Sequence, residues 1–127
     1  MNWSPLFYKN LITNSVLANI YQENAAELGV PYLTRDQQAV KAGGSTDMGN
    51  VSQVKPAIHP RYYVADFITH TREFQVAAGT EKAHQKTLIA AKSMARTCLH
   101  VMCDPVMMEK INSDFQESVK LRGGDLE

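Results

Sequence analysis

Three stretches of helical periodicity stand against almost no strand pattern in this chain, and that imbalance limits what it can fold into. The first follows Asn14, an N-cap candidate, with Leu17, Ile20, Tyr21, Ala25 and Leu28 at helical spacing until Gly29 and Pro31 end it. The second opens on Thr80 and Glu81 and carries the stripe Thr87, Ala91, Met94, Ala95, Cys98, Met102, whose small residues predict close packing. The third starts at Asp104-Pro105, an N-cap with proline at the first helical position, and presents Met108, Ile111, Phe115 and Val119 on one face. Between the first two lie weak strand candidates: Tyr32 and Leu33; Val51 to Ile58, held to an edge or a bulge by Pro56; and Tyr62 to Val64. So small a sheet does not stand alone under so much helix, and the pattern predicts a segment of a larger domain or an obligate partner of one.

Thirteen basic and thirteen acidic residues cancel, leaving no electrostatic footprint for nucleic acid or an anionic membrane. Lys9 and Asn10 interrupt the apolar N-terminal residues, so neither a secretory signal nor a membrane anchor is expected there, and the expected location is the cytoplasm. Cys98 and Cys103 are too few and too close for a disulfide framework and read as buried, reduced thiols.

The chemistry-bearing residues crowd into one region. Gly43-Gly44-Ser45-Thr46-Asp47 leads to Gly49-Asn50-Val51-Ser52, then Ile58-His59-Pro60, then His70-Thr71. Paired glycines permit positive φ and close backbone approach, so amides near Gly43 and Gly44 and the hydroxyls of Ser45 and Thr46 are candidates to face a carboxylate or a developing oxyanion. Asp47 has two readings, orienting a metal ligand or capping the short turn after it. His59 sits beside this loop, as a substrate contact or as a hydrogen-bonded structural histidine. His70, a lone histidine, reads by itself as a polar residue flanking a helix. His84 and His100 fall on the polar side of the long helix and read as solvated.

Those motifs, with Ala77-Ala78-Gly79, resemble the C-terminal part of the aminoacylase and carboxypeptidase superfamily of zinc hydrolases, metallopeptidase family M-twenty. They occur in its order and spacing across Tyr8 to Val119, with Met48 in place of a usual aromatic residue and Ala57 in place of a glycine. The resemblance implies an α/β fold: the C-terminal segment of a phosphorylase/hydrolase-like zinc-peptidase catalytic domain, three helices with a few edge strands, incomplete alone. Residues 1–13 would return from an absent lid domain, 14–121 would be catalytic-domain segment, and 122–127 a polar tail.

It further implies a dipeptidase or amidohydrolase that cleaves small peptides, those with a basic C-terminal residue, by metal-activated water. Two zinc ions would serve the complete enzyme, with one ligand, His70, supplied here. Gly43, Gly44, Ser45, Thr46 and His59 would contact substrate, while Asp47 and Asn50 would support the ligands. The expected partners are the upstream half of the catalytic domain and a second subunit bound through the lid. No Glu-Glu pair or His-x-Asp is present, so no catalytic residue is assigned and the chain alone is expected to be inactive. The alternative is an inactive fragment acting as an interaction or complementing partner.

Overall fold

A computed structural model describes residues 7–31 and 44–123, and among them the fold is entirely helical. Five helices follow in order: α1 (Ser15–Glu27), α2 (Met48–Ser52), α3 (Arg72–Ala78), α4 (Glu81–Cys103) and α5 (Pro105–Gly123). No strand occurs among the described residues, which overturns the α/β expectation with its edge strands. The Val51–Ile58 strand fails for a local reason. Gly49 N–H donates to Thr46 O, Asn50 N–H to Asp47 O, and Ser52 Oγ back to Gly49 O at 2.7 Å, so the chain closes one helical turn. A short alternating run does not separate a strand from a single helical turn; the polar residues that bond locally decide it. Tyr62 to Val64 form no strand either, and the Tyr32–Leu33 candidate lies outside the described residues.

Helix ends follow the sequence signals closely. Asn14 Oδ1 accepts from Leu17 N–H at 3.0 Å, Thr80 Oγ1 from Ala83 N–H at 3.3 Å, and Asp104 Oδ1 from Val106 and Met107 N–H at 3.0 and 3.2 Å. Each satisfies amides that a helix start leaves open. At the far end of α1, Gly29 adopts φ +79, and paired bonds run from Gly29 N–H to Ala26 O and from Val30 N–H to Ala25 O. This is the Schellman stop, which needs a left-handed residue and therefore favours glycine. Thr71 caps α3 by accepting from Phe74 N–H at 3.2 Å.

α1 packs chiefly on α4, α5 touches both, and α3 rests on α4. The apolar core is small: Ile12, Ile20, Tyr21, Ala25, Ala57, Ala83 and Ile111. Polar residues fill the rest of the α1–α4 seam. Ser93 and Thr97 are buried with their hydroxyls bonded back to Ile89 O and Ser93 O, and buried Asn24 donates to Ile20 O and Thr97 Oγ1. Back-bonded hydroxyls behave as small side chains, so α1 can approach α4 closely. An ion pair between Arg96 and Glu27 bridges the two helices at the surface.

The face of α4 that packs is not the stripe expected from sequence. Thr87, Ala91, Met94, Ala95, Cys98 and Met102 are all exposed, and the buried line is Ala83, Ser93, Thr97. Both cysteines are free as expected, but exposed rather than buried. On α5, Ile111 is buried while Met108 and Val119 are partly exposed.

Candidate functional site

The residues singled out by sequence divide into two groups. The first is tied into the chain's own framework. Asn50 Oδ1 accepts from Lys9 N–H at 2.8 Å, and Asn50 Nδ2 donates to Phe7 O at 3.2 Å. Ser52 Oγ accepts from Ile12 N–H at 2.9 Å, and Gln53 Nε2 donates to Asn10 O at 2.9 Å. One face of α2 thus holds the segment 7–12 by side-chain bonds to its backbone, which settles orphan amides and carbonyls that no sheet serves. Gly49 makes the approach possible: an ideal Cβ there would stand 1.8 Å from Lys9 O, far inside van der Waals contact. The Gly-Asn-x-Ser pattern is legible in sequence, but the backbone segment it holds, forty residues earlier, is not.

The same region contains a junction that sequence reading saw only as a helix cap. Asn14 is buried; besides capping α1 it donates from Nδ2 to Ile111 O at 2.9 Å and from its backbone to Ala57 O at 2.9 Å. Asp114 on α5 accepts from Ser15 N–H at 3.0 Å and also bonds the Ser15 hydroxyl, placing a carboxylate at the positive end of α1. Two adjacent residues therefore lock α1, α5 and the loop at Ala57 together.

Thr46 belongs partly to this framework, since its Oγ1 accepts from Met48 N–H at 3.3 Å within its own turn. Asp47 occupies the N-cap position of α2 but makes no capping bond with its side chain. At Gly44 a Cβ would meet nothing within 4 Å, so no close approach there demands glycine. Gly43 lies outside the described residues.

The second group points outward. Ser45, His59 and His70 are exposed, and no hydrogen bond from their side chains to another described residue is formed. His70 has φ +69, the only positive φ at a non-glycine among the described residues. It stands at the turn before α3, between Ile68, whose carbonyl accepts from Thr71 Oγ1 at 2.7 Å, and the Thr71 cap. A left-handed non-glycine residue is uncommon and costs about 1–2 kcal/mol, so the flanking bonds hold the imidazole at a backbone angle it would not choose alone.

Beside the segments that carry these two histidines opens a groove of about 500 Å³, lined by residues that include Pro60, Tyr62, Val64, Thr69, Phe74 and Thr87. Pro60 is the chain neighbour of His59 and Thr69 that of His70, so both histidines belong to segments that form its wall. Tyr62 and Thr87 hydroxyls bond at 3.1 Å across it. Behind it the Lys86 ammonium lies 3.9 Å from the centre of the Tyr63 ring and donates to Val64 O at 3.4 Å, fixing the extended segment to α4. The Tyr63 phenol is held above its ordinary pKa, first by a hydrogen bond to the Asp66 carboxylate, then by desolvation and the charge of Asp66.

Among the described residues no three of His, Cys, Asp and Glu come together as a metal-holding group. His70 can lend one imidazole nitrogen to an ion, but the donors here do not compose a complete site. His84 is solvent-exposed as expected; His100 is exposed as well, yet its Nδ1 lies 3.4 Å from the buried Asn24 amide. No helix among the described residues is long and apolar enough to cross a membrane.

Comparison with known proteins makes the chain a relative of enzymes named dipeptidase. It is similar to the Xaa-Arg dipeptidase of Mus musculus, 39% identical over 110 residues, and to that of Homo sapiens, 38% identical over 110 residues. The match takes in 86% of this chain but 26% and 25% of those proteins, so the chain spans about a quarter of the length of the curated relatives it matches. No model of a known protein family matches the chain.

Proposed function

We propose that this chain forms the C-terminal portion of a metal-dependent dipeptidase of the M-twenty type, acting in the cytoplasm on dipeptides whose C-terminal residue is basic. The observation that carries the reading is a coincidence of independent signals at one residue. His70, the position the family resemblance makes a zinc ligand, is exposed, without a side-chain partner among the described residues, and held in a left-handed backbone conformation. Strain of that kind persists where the surroundings fix a side chain for use. Similarity to the two Xaa-Arg dipeptidases supports the substrate class, since the name of those enzymes specifies an arginine in the second position.

In this reading zinc, when bound, would polarise the scissile carbonyl and acidify water. The chain's own residues orient and shape. His70 would present one imidazole nitrogen to an ion shared with ligands from the rest of the enzyme. Ser45 and the amides at the start of the 44–47 loop would meet the substrate carboxylate, and His59 would line the cleft from the opposite segment. Asn50 and Ser52 would act at one remove, by pinning the 7–12 segment against α2 so that the loop before it keeps its place.

The test is a chimera. This chain replaces the matched 110-residue segment in the mouse relative, and hydrolysis of an Xaa-Arg dipeptide is measured together with zinc content. Turnover with bound zinc is expected, and a folded chimera that binds zinc yet leaves the dipeptide intact would refute the dipeptidase reading.

A further inference from the structure

α4 has two opposed lines of uncharged residues. One, Ala83, Ser93 and Thr97, is closed by α1. The other, Leu88, Ala91, Ala95, Leu99 and Met102, recurs at i, i+3, i+7, i+11 and i+14 and is exposed along its whole length, Met102 at 78%. That spacing makes a continuous stripe roughly 21 Å long. Bulky side chains mark its ends and alanines its middle, leaving a shallow saddle. A surface helix of a self-contained protein turns polar residues outward, so α4 has the pattern of a helix covered on both sides.

Other exposed side chains point the same way. Among the described residues large apolar side chains stand open on several sides, with Ile68 and Val76 near α3, the stripe on α4, and Leu121 on α5. A second copy related by a twofold axis would cover one such patch. A body about three times the size of the chain, as the relatives carry outside the matched quarter, can cover more than one.

We infer that the outward face of α4, from Leu88 to Met102, is the surface on which the remaining portion of a dipeptidase-length enzyme packs, in the same polypeptide or a separate one. This rests on the proposed function for the identity of the occupant, but its readout is independent of catalysis. The packing needs no charge pairing: the stripe is apolar throughout, and burial of its side chains supplies the attraction.

Cys98 provides the probe. It lies three residues after Ala95 and four before Met102, about 60° around the helix from the centre of the stripe. In the isolated chain this exposed thiol should react with a maleimide. In the chimera with the mouse relative, Cys98 should react at least about 10-fold more slowly than in the isolated chain, because a covered thiol reacts only through local opening. Equal reactivity of Cys98 in the isolated chain and in a chimera with a cooperative melt would overturn the inference. Protection of Cys98 in the isolated chain that grows with its concentration would also overturn it, in favour of a second copy.

Two variants sharpen the result. Ala95→Glu should lower the melting temperature of the chimera, while Asn19→Glu on the polar outer side of α1 should leave it unchanged; equal shifts would count against a buried α4 face. Separately expressed pieces give the same comparison by association, measured as loss of binding with Ala95→Glu. A chimera that protects Cys98 but does not hydrolyse the dipeptide keeps the surface and removes the function; one that hydrolyses it with Cys98 unprotected does the reverse.

Discussion

The α2 clamp and the histidine-bearing segment after it contrast within a single run of motif residues. In the clamp, Asn50, Ser52 and Gln53 bond to backbone atoms of residues 7–12, and Gly49 leaves room for Lys9 O. Ten to twenty residues on, His59 and His70 face outward with no side-chain bond to another described residue, one of them on a left-handed backbone. Gly49, Asn50, Ser52, His59 and His70 read as one region in sequence. The difference teaches that a polar motif residue whose hydrogen-bonding capacity is met inside the chain is architecture, and the candidates for chemistry are those whose capacity is left for something else.

The largest expected effect tests the outward group. In the assembled chimera, His70→Ala should reduce turnover by about 100-fold or more and lower zinc occupancy, with His84→Ala as the control that changes neither. Near-normal turnover with full metal content would dissolve the contrast and make His59 the next residue to replace.

Next comes the clamp itself. Gly49→Ala places a methyl group 1.8 Å from Lys9 O, and because the obstacle is backbone the segment 7–12 must move, at a cost of about 2–4 kcal/mol. Hydrogen exchange should show the amides of Lys9 and Ile12 losing protection first. Retained protection would mean that the segment is held elsewhere.

A smaller loss is expected at the junction. Asn14→Ala removes the α1 cap and the bond to Ile111 O together and should destabilise by about 1–3 kcal/mol in urea unfolding. Gly29→Ala should cost about 1 kcal/mol, from the left-handed conformation alone, since no atom lies within 4 Å of the new methyl group. A Gly29→Ala loss exceeding that of Asn14→Ala would reverse this ranking.

The smallest effect concerns Tyr63. Its folded pKa is raised, so the Asp66 interaction contributes below the ordinary tyrosine pKa and is lost as pH rises through the folded value. Because the ring is exposed the change should be slight: Tyr63→Phe should alter stability at neutral pH more than above pH 10 or so. A pH-independent difference between the two proteins would remove Asp66 as the cause.

What the sequence determined by itself was local. Asn14, Gly29, Thr80 and Asp104-Pro105 marked the helix ends because caps and stops act through residues three or four positions away. Tertiary structure decided what no local rule reaches. It brought residues 7–12 onto the helical turn that opens Val51–Ile58, where Asn50 and Ser52 bond backbone forty positions away. It chose Ala83, Ser93 and Thr97 over the more apolar stripe as the face α1 covers, since back-bonded hydroxyls admit a close neighbour. It separated the motif residues into those used within the chain and those presented outward, because hydrogen-bond partners forty or a hundred residues apart are fixed only when the chain folds around them.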